Sequence, residues 1–417
     1  MKKKILVLLL FVIVKVEAQS STFTVIDSLF EKGRYQLALM ELEKIKTPSF
    51  LSNYKTAIIY ESIDNYKRTV EYLERVLVFK EDKKASLKLA KNYQRLKKTN
   101  KSIEIYEEIL AKDSLNLVLK YQLGKLYLLK RKPKKAIQVF KDLVQKDSLN
   151  ANYSYQLGLG YSLKNDRNRM INSFLDTHSK DATHLKVIIR LATSFNKLKE
   201  LDSTTIFVDK GLMIDKNNIN LNKLKINQFY RDKKYSEAIP LLLNLDSIDK
   251  KSTYAISMLG RVYYNIDSLK LAKKQFVKLK YKDREDYKPY TYLGHIALKE
   301  KNYKTASINY SMATFIGKDR RDEEYYGLAT TYFETKKPKL AIFNFDKAYK
   351  ENYKNYKALF QLAKISDDYY KDKKIGYTHY LKYIERFESK DKVMTDFVKN
   401  RIKEIKKDYF LKGENLE

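Results

Sequence analysis

The chain has no cysteine, no tryptophan and only 4 histidines in 417 residues. Without cysteine there is no disulfide, no thiolate metal site and no lipid carried on an N-terminal Cys. The histidines are His178, His184, His295 and His379. None has the i, i+4 pairing or the nearby carboxylates of a helical metal site, so no metal and no cofactor is expected. The 11 glycines form no phosphate-cradling loop and no G-x-S-x-G elbow. Carboxylate pairs such as Glu107-Glu108 fall on surface-facing positions of charged helices. Nothing in this inventory argues for catalysis, and the expectation is a protein that is not an enzyme.

What is present is a period. Leu followed by Gly or Ala recurs at Leu89-Ala90, Leu123-Gly124, Leu157-Gly158 and Leu191-Ala192, every 34 residues. Lys225-Ile226 fills the next slot, then Leu259-Gly260 and Leu293-Gly294. After one inserted residue come Leu328-Ala329 and Leu362-Ala363. A fixed period of this length means one supersecondary unit copied in tandem. With the pair at repeat positions 7 and 8, an aromatic usually follows at 11, such as Tyr93, Tyr127, Tyr161 and Phe195. Ala136, Ala238, Ala272, Ala306 and Ala341 stand at position 20, and bulky residues such as Phe140, Phe174, Phe276 and Phe345 at 24. Spacings of three and four within each half predict helices. Small residues at 8 and 20 let paired helices approach, and large ones at 11 and 24 fill the space beside them. Pro133 and Pro338 both fall at position 17, where a second helix starts, because proline is tolerated in a first turn.

This pattern resembles the tetratricopeptide repeat (TPR) family over roughly nine-tenths of the chain. The stretch from Leu117 to Asn150 carries it best, with Leu123, Gly124, Tyr127, Ala136 and Phe140 in register. The family's frequent Trp at position 4 is absent, and its Pro at 32 is replaced. The resemblance implies an all-α, right-handed α-solenoid of about eleven helix-turn-helix repeats. The expected organisation is a leader over 1–18, two degenerate repeats over 19–82, the main array over 83–390, and a capping helix and tail over 391–417. The weaker early repeats are anchored by Tyr35 and Ala38, then by Ala57, Tyr60 and Tyr66.

Residues 1–18 read as a secretory signal peptide: Lys2-Lys3-Lys4, the apolar run Ile5 to Val14, and a small residue at Ala18. The competing reading is a membrane anchor, but ten apolar residues span only about half of a bilayer's hydrocarbon core. The expectation is export to the periplasm with cleavage near Ala18. Formal net charge is +33, and removing residues 1–18, with four lysines and one glutamate, leaves +30. Only 15 of the cations are arginine, which favours diffuse attraction over bidentate phosphate recognition. Nucleic acid as a partner conflicts with export.

Two surfaces are candidate binding sites. The TPR resemblance implies a concave groove lined from each first helix, mainly at positions 2, 5, 9 and 12. Those positions hold Lys91, Tyr121, Lys125, Tyr155, Asn196, Asn227, Tyr230, Arg261, Tyr264, His295 and Tyr326. Aromatic, basic and amide groups together suit an extended polar or acidic protein segment. The set is not the Lys/Asn clamp some family members use for a terminal carboxylate. The second surface is basic: Lys97, Lys98, Lys130, Arg131, Lys132, Lys134, Lys135, Lys233, Lys234, Lys336 and Lys337 lie in turns between paired helices. Opposite turns carry Asp113, Asp147, Asp181, Asp215, Asp249 and Asp283, expected to support those turns and the next helix's entry. The leading expectation is a protein-binding scaffold of the cell envelope, attached to an outer-membrane or secretion complex, with no small-molecule substrate. The alternatives are an anionic envelope polymer or lipid head groups bound along the basic edge, or a regulatory arm of an enzyme or secretion assembly.

Overall fold

The computed structural model describes residues 22–416. The signal-peptide reading of residues 1–18 lies outside the described residues. Among those described there are 23 helices and no strand: α1 (22–31), then α2 (Tyr35–Glu43) through α23 (Lys392–Leu411). Helices α1 to α22 pair into eleven hairpins. The chain divides into two compact halves, Met1–Phe207 and Val208–Glu417. Each half is all-α, built as a TPR-like solenoid segment.

The hairpin α7 (Leu117–Leu129) and α8 (Pro133–Lys146) illustrates the build. Asn116 caps α7, its side chain accepting from the Leu119 N–H at 3.0 Å. Leu123, Gly124 and Tyr127 face inward, and Pro133 opens α8. Ala136 and Phe140 are fully buried. Position 20 is closed wherever alanine holds it: Ala238, Ala272, Ala306 and Ala341 are as inaccessible as Ala136.

The turn between paired helices has one conformation in eight consecutive hairpins, from α5–α6 to α19–α20. Lys97, Arg131, Asn165, Lys199, Lys233, Asp267, Lys301 and Lys336 all have φ between 52° and 63°. The next residue donates its N–H to the carbonyl five positions before it: Lys98 to Tyr93 at 2.8 Å, Lys132 to Tyr127 at 2.8 Å, Lys337 to Tyr332 at 2.8 Å. This is a Schellman ending, built in these eight hairpins without glycine, whereas Gly33 holds the position in the turn before α2.

The aspartate ladder needs a correction. Asp113, Asp147, Asp181, Asp249 and Asp283 end the second helix of their hairpins rather than starting the next one. Entry is capped three residues later by Asn116, Asn150, His184 or Asn218. The aspartates brace the turn: Asp181 accepts from the Thr183 N–H at 2.9 Å, and Asn218 donates to Asp215 at 3.1 Å.

The last helix, α23, is capped by Asp391 and buries Val398, Ile405 and Tyr409 against α21 (Tyr356–Tyr369) and α22 (Lys374–Phe387). Among the described residues, no helix is long and apolar enough to cross a membrane.

Candidate binding surfaces

In the C-terminal half the first helices that carry expected groove residues are α13 (Ile219–Arg231), α15 (Tyr254–Asn265), α17 (Lys288–Lys299) and α19 (Asp322–Glu334). They bring most of the expected groove residues into contact. The Arg261 guanidinium lies 4.7 Å from the Tyr230 ring centre, and Asn265 donates to the Tyr230 hydroxyl at 3.0 Å. Asn227 accepts from the Tyr254 hydroxyl at 2.8 Å. The Tyr264 ring sits 5.6 Å from Tyr292, edge-on, and 6.2 Å from His295, with the Lys299 ammonium 4.6 Å away. Tyr292 stacks on Phe276 at 4.5 Å. Burial holds the phenols of Tyr264 and Tyr292 above their ordinary range, so both present neutral hydroxyls.

His295 joins two neighbours. Its Nδ1 lies 2.7 Å from the Tyr310 hydroxyl and its Nε2 2.9 Å from Glu323. The hydrogen bond from His295 lowers the Glu323 carboxyl below its usual range. Next to it, burial raises the Glu324 carboxyl, which accepts from Thr291 at 2.6 Å. Tyr310 is wholly buried. A Cβ on Gly294 would come 2.7 Å from its ring, and one on Gly327 2.3 Å. The Tyr310–His295–Glu323 chain thus ends in the core, and it serves to fix the imidazole rather than to deliver a nucleophile. A cavity of about 560 Å³ opens here, lined by His295, Glu323, Tyr326 and Lys357 among others. Tyr326 packs edge-on against Phe345 at 5.2 Å.

In the N-terminal half, Tyr121 contacts Tyr153 at 5.7 Å and lies under the Lys125 ammonium at 5.5 Å. Lys91 is exposed on α5 (Lys83–Arg95). Asn196 is half-buried near the end of α11 (Leu185–Leu198). Tyr155, on α9 (Ala151–Leu163), lies tilted against His184 at 4.9 Å and forms one wall of a cleft of about 760 Å³. The same cleft is lined by Lys186, Ile189, Arg190 and Thr193 of α11. Lys186, Ile189 and Thr193 obey the position rule that selected Tyr155, yet sequence reasoning passed over them. Tyr254 obeys it too; Arg190 and Tyr292 stand at position 6, which the rule does not include.

The basic residues of the turns are exposed. Among the described residues Lys135 pairs with Glu107 at 2.8 Å, and the other ten form no ion pair. Lys97, Arg131, Lys233 and Lys336 also occupy the left-handed turn position. Among the described residues, no group of three or more His, Cys, Asp or Glu is placed to hold a metal.

No family model and no curated protein matches the sequence. Solved structures do. The C-terminal part of a TPR repeat-containing protein from Cytophaga hutchinsonii is 17% identical, covering 57% of this chain and 99% of its own, with a TM-score of 0.48. PilF of Pseudomonas aeruginosa is 17% identical over 54% of this chain and 99% of its own, TM-score 0.42. YrrB, described as a TPR protein with an unusual peptide-binding site, is 19% identical over 45% and 95%, TM-score 0.38. These are likenesses of fold, and the TPR-like architecture rests on the hairpins described above.

Proposed function

We propose that this chain is a non-enzymatic scaffold of a bacterial cell envelope that binds a polar or acidic protein segment. The observation that carries the reading is the row of paired cations and rings in the C-terminal half. Arg261, which forms no ion pair among the described residues, lies over Tyr230; Lys299, paired with Asp267 at 2.9 Å, lies over Tyr264; and the held imidazole of His295 follows. Rings supply contact area at low entropy cost, and adjacent cations attract carboxylates. The Asn227→Ala, Arg261→Ala, Tyr264→Ala triple variant should lose the native envelope partner in a pull-down while keeping its helical circular dichroism. Interface tyrosines and arginines typically cost about 2 kcal/mol or more each when truncated.

The second reading is an anionic polymer or lipid surface bound along the basic turns. It is favoured by the exposed, unpaired state of Lys97, Lys98, Lys130, Arg131, Lys132 and Lys134. Changing Lys130, Lys132, Lys134 and Lys135 to Gln tests it. Binding along the turns should collapse between low and moderate salt. If the turn variant loses the partner and the groove variant keeps it, the order of the two readings reverses.

Export is part of the proposal and rests on residues 1–18. N-terminal sequencing of the protein from its native cell should find a chain beginning at Gln19. An intact Met1 would instead support a retained anchor.

A further inference from the structure

One hairpin of the N-terminal half departs from the rest at the position that closes neighbouring helices together. In α10 (Arg167–Lys180) position 20 is Met170, half-buried, where five other hairpins have a fully buried alanine. On its other side α9 is drawn toward α8: Gly160 lies so close that a Cβ would sit 2.9 Å from Ile137. The result is the cleft of about 760 Å³ between α9 and α11. That volume is within the range of about 300–1,000 Å³ usual for ligand sites.

Its lining is of two kinds. The floor is apolar, made by Phe174, Met170 and Ile189. The rim is cationic: Lys186, Arg190 and Lys197 are exposed, and none forms an ion pair among the described residues. Arg190 is held over the Phe174 ring at 5.7 Å, which places its charge at the edge of the floor. The one carboxylate in the lining, Asp166, already caps α10 through the Arg169 N–H at 3.2 Å and lies 3.7 Å from the Arg169 guanidinium. Unneutralised cations around a concave apolar floor attract an anionic chain that also has an apolar group to bury.

We propose that the α9–α11 cleft takes an acidic segment of another protein, seating one bulky apolar side chain on Phe174, Met170 and Ile189 while flanking carboxylates meet Lys186, Arg190 and Lys197. The proposal rests on the scaffold reading and adds a site to it, in the half of the chain that does not contain Arg261 and Tyr264. The apolar floor favours a peptide over a free anion, because a free anion would leave that floor unused.

The test is fluorescence anisotropy with the mature chain from Gln19 and a short labelled peptide. The peptide carries glutamates on both sides of one phenylalanine. Binding is expected at physiological salt. The Lys186→Gln, Arg190→Gln variant should weaken it at least tenfold, as should Ile189→Glu alone or replacing the peptide's phenylalanine by alanine. The control variant Lys250→Gln, Lys251→Gln, at exposed lysines of the C-terminal half, should bind as the parent does. Three results overturn the proposal: no binding to the parent, equal loss in the control variant, or indifference to the peptide's phenylalanine. The last would mean general charge attraction to any polyanion. If the Arg261→Ala, Tyr264→Ala variant loses the peptide and the cleft variants keep it, the cleft fails and the scaffold reading stands. Circular dichroism of every variant separates loss of binding from loss of fold.

Discussion

Replacing Arg401 by methionine is expected to destabilise the end of the C-terminal half by about 3 kcal/mol, because removing one partner of a buried pair leaves the other charge uncompensated. The Asp367 carboxylate is 2% exposed at the centre of α21–α23. Arg401 of α23 grips it through two bonds, Nε at 2.6 Å and Nη2 at 3.2 Å. Tyr380 donates to it at 3.4 Å, and the Lys373 ammonium lies 3.7 Å away. Gly376 packs so closely that a Cβ there would lie 2.6 Å from the Cβ of Asp367. Methionine keeps the volume of the arginine stem and loses the charge. Lys373 then remains as the nearest cation, which is why the effect is placed at the lower end of the usual range for broken buried pairs. Repeat arrays open locally, so the loss should be local as well. Hydrogen exchange should speed up in α21–α23 and stay unchanged in Met1–Phe207. The double variant Arg401→Met, Asp367→Asn should recover part of the loss, since the stranded charge is then gone. Unchanged exchange in the single variant would show that packing of Val398 and Ile405 alone holds the capping helix.

The architecture was legible because its signal is periodic and apolar. Leu123, Gly124, Ala136 and Phe140 name their own places: a small residue, a large one sixteen positions on, and helical spacing between them. The turn chemistry was not legible. Arg131 and Lys233 read as members of a charged edge, yet they also hold the left-handed residue of a Schellman ending, a position where glycine or asparagine is the usual expectation. Asp147 and Asp215 read as supports of both the turn and the next helix's entry; they brace the turn, and the asparagine three residues later caps the helix. For the groove, the position rule found Tyr230, Arg261, Tyr264 and His295, which do touch their neighbours in the C-terminal half. It could not find Tyr292 or Arg190, whose sites depend on how far adjacent helices stand apart. The cleft beside Arg190 left one mark in the sequence, methionine instead of alanine at position 170. A single departure of that kind says that spacing changes, without saying which face opens.

The second large effect is expected at Gly124. Its Cα faces Phe140, and a Cβ there would stand 2.6 Å from Cζ and 2.9 Å from Cε2 of the ring. Phe140 is fully buried and has Leu143 and Ala136, equally buried, in the same cluster, so its ring has little room to retreat. The same geometry recurs where Gly158 faces Phe174 and a Cβ would again run into the ring, which shows that the repeat packs a ring directly against a bare backbone. One methyl group is tolerable at this position, since Ala90 and Ala329 occupy it in other hairpins. A leucine is not, because its branched end must displace the ring or separate α7 from α8. Overpacking of this kind typically costs about 1–3 kcal/mol. Gly124→Leu should therefore lower the urea midpoint clearly, and Gly124→Ala should lower it less. The exposed, unpaired Lys132, changed to Gln, should stay within about 0.5 kcal/mol of the parent. Equal midpoints for Gly124→Leu and the parent would show that Phe140 does not set the distance between α7 and α8. The small residue at position 8 would then need a different explanation in every hairpin that has one.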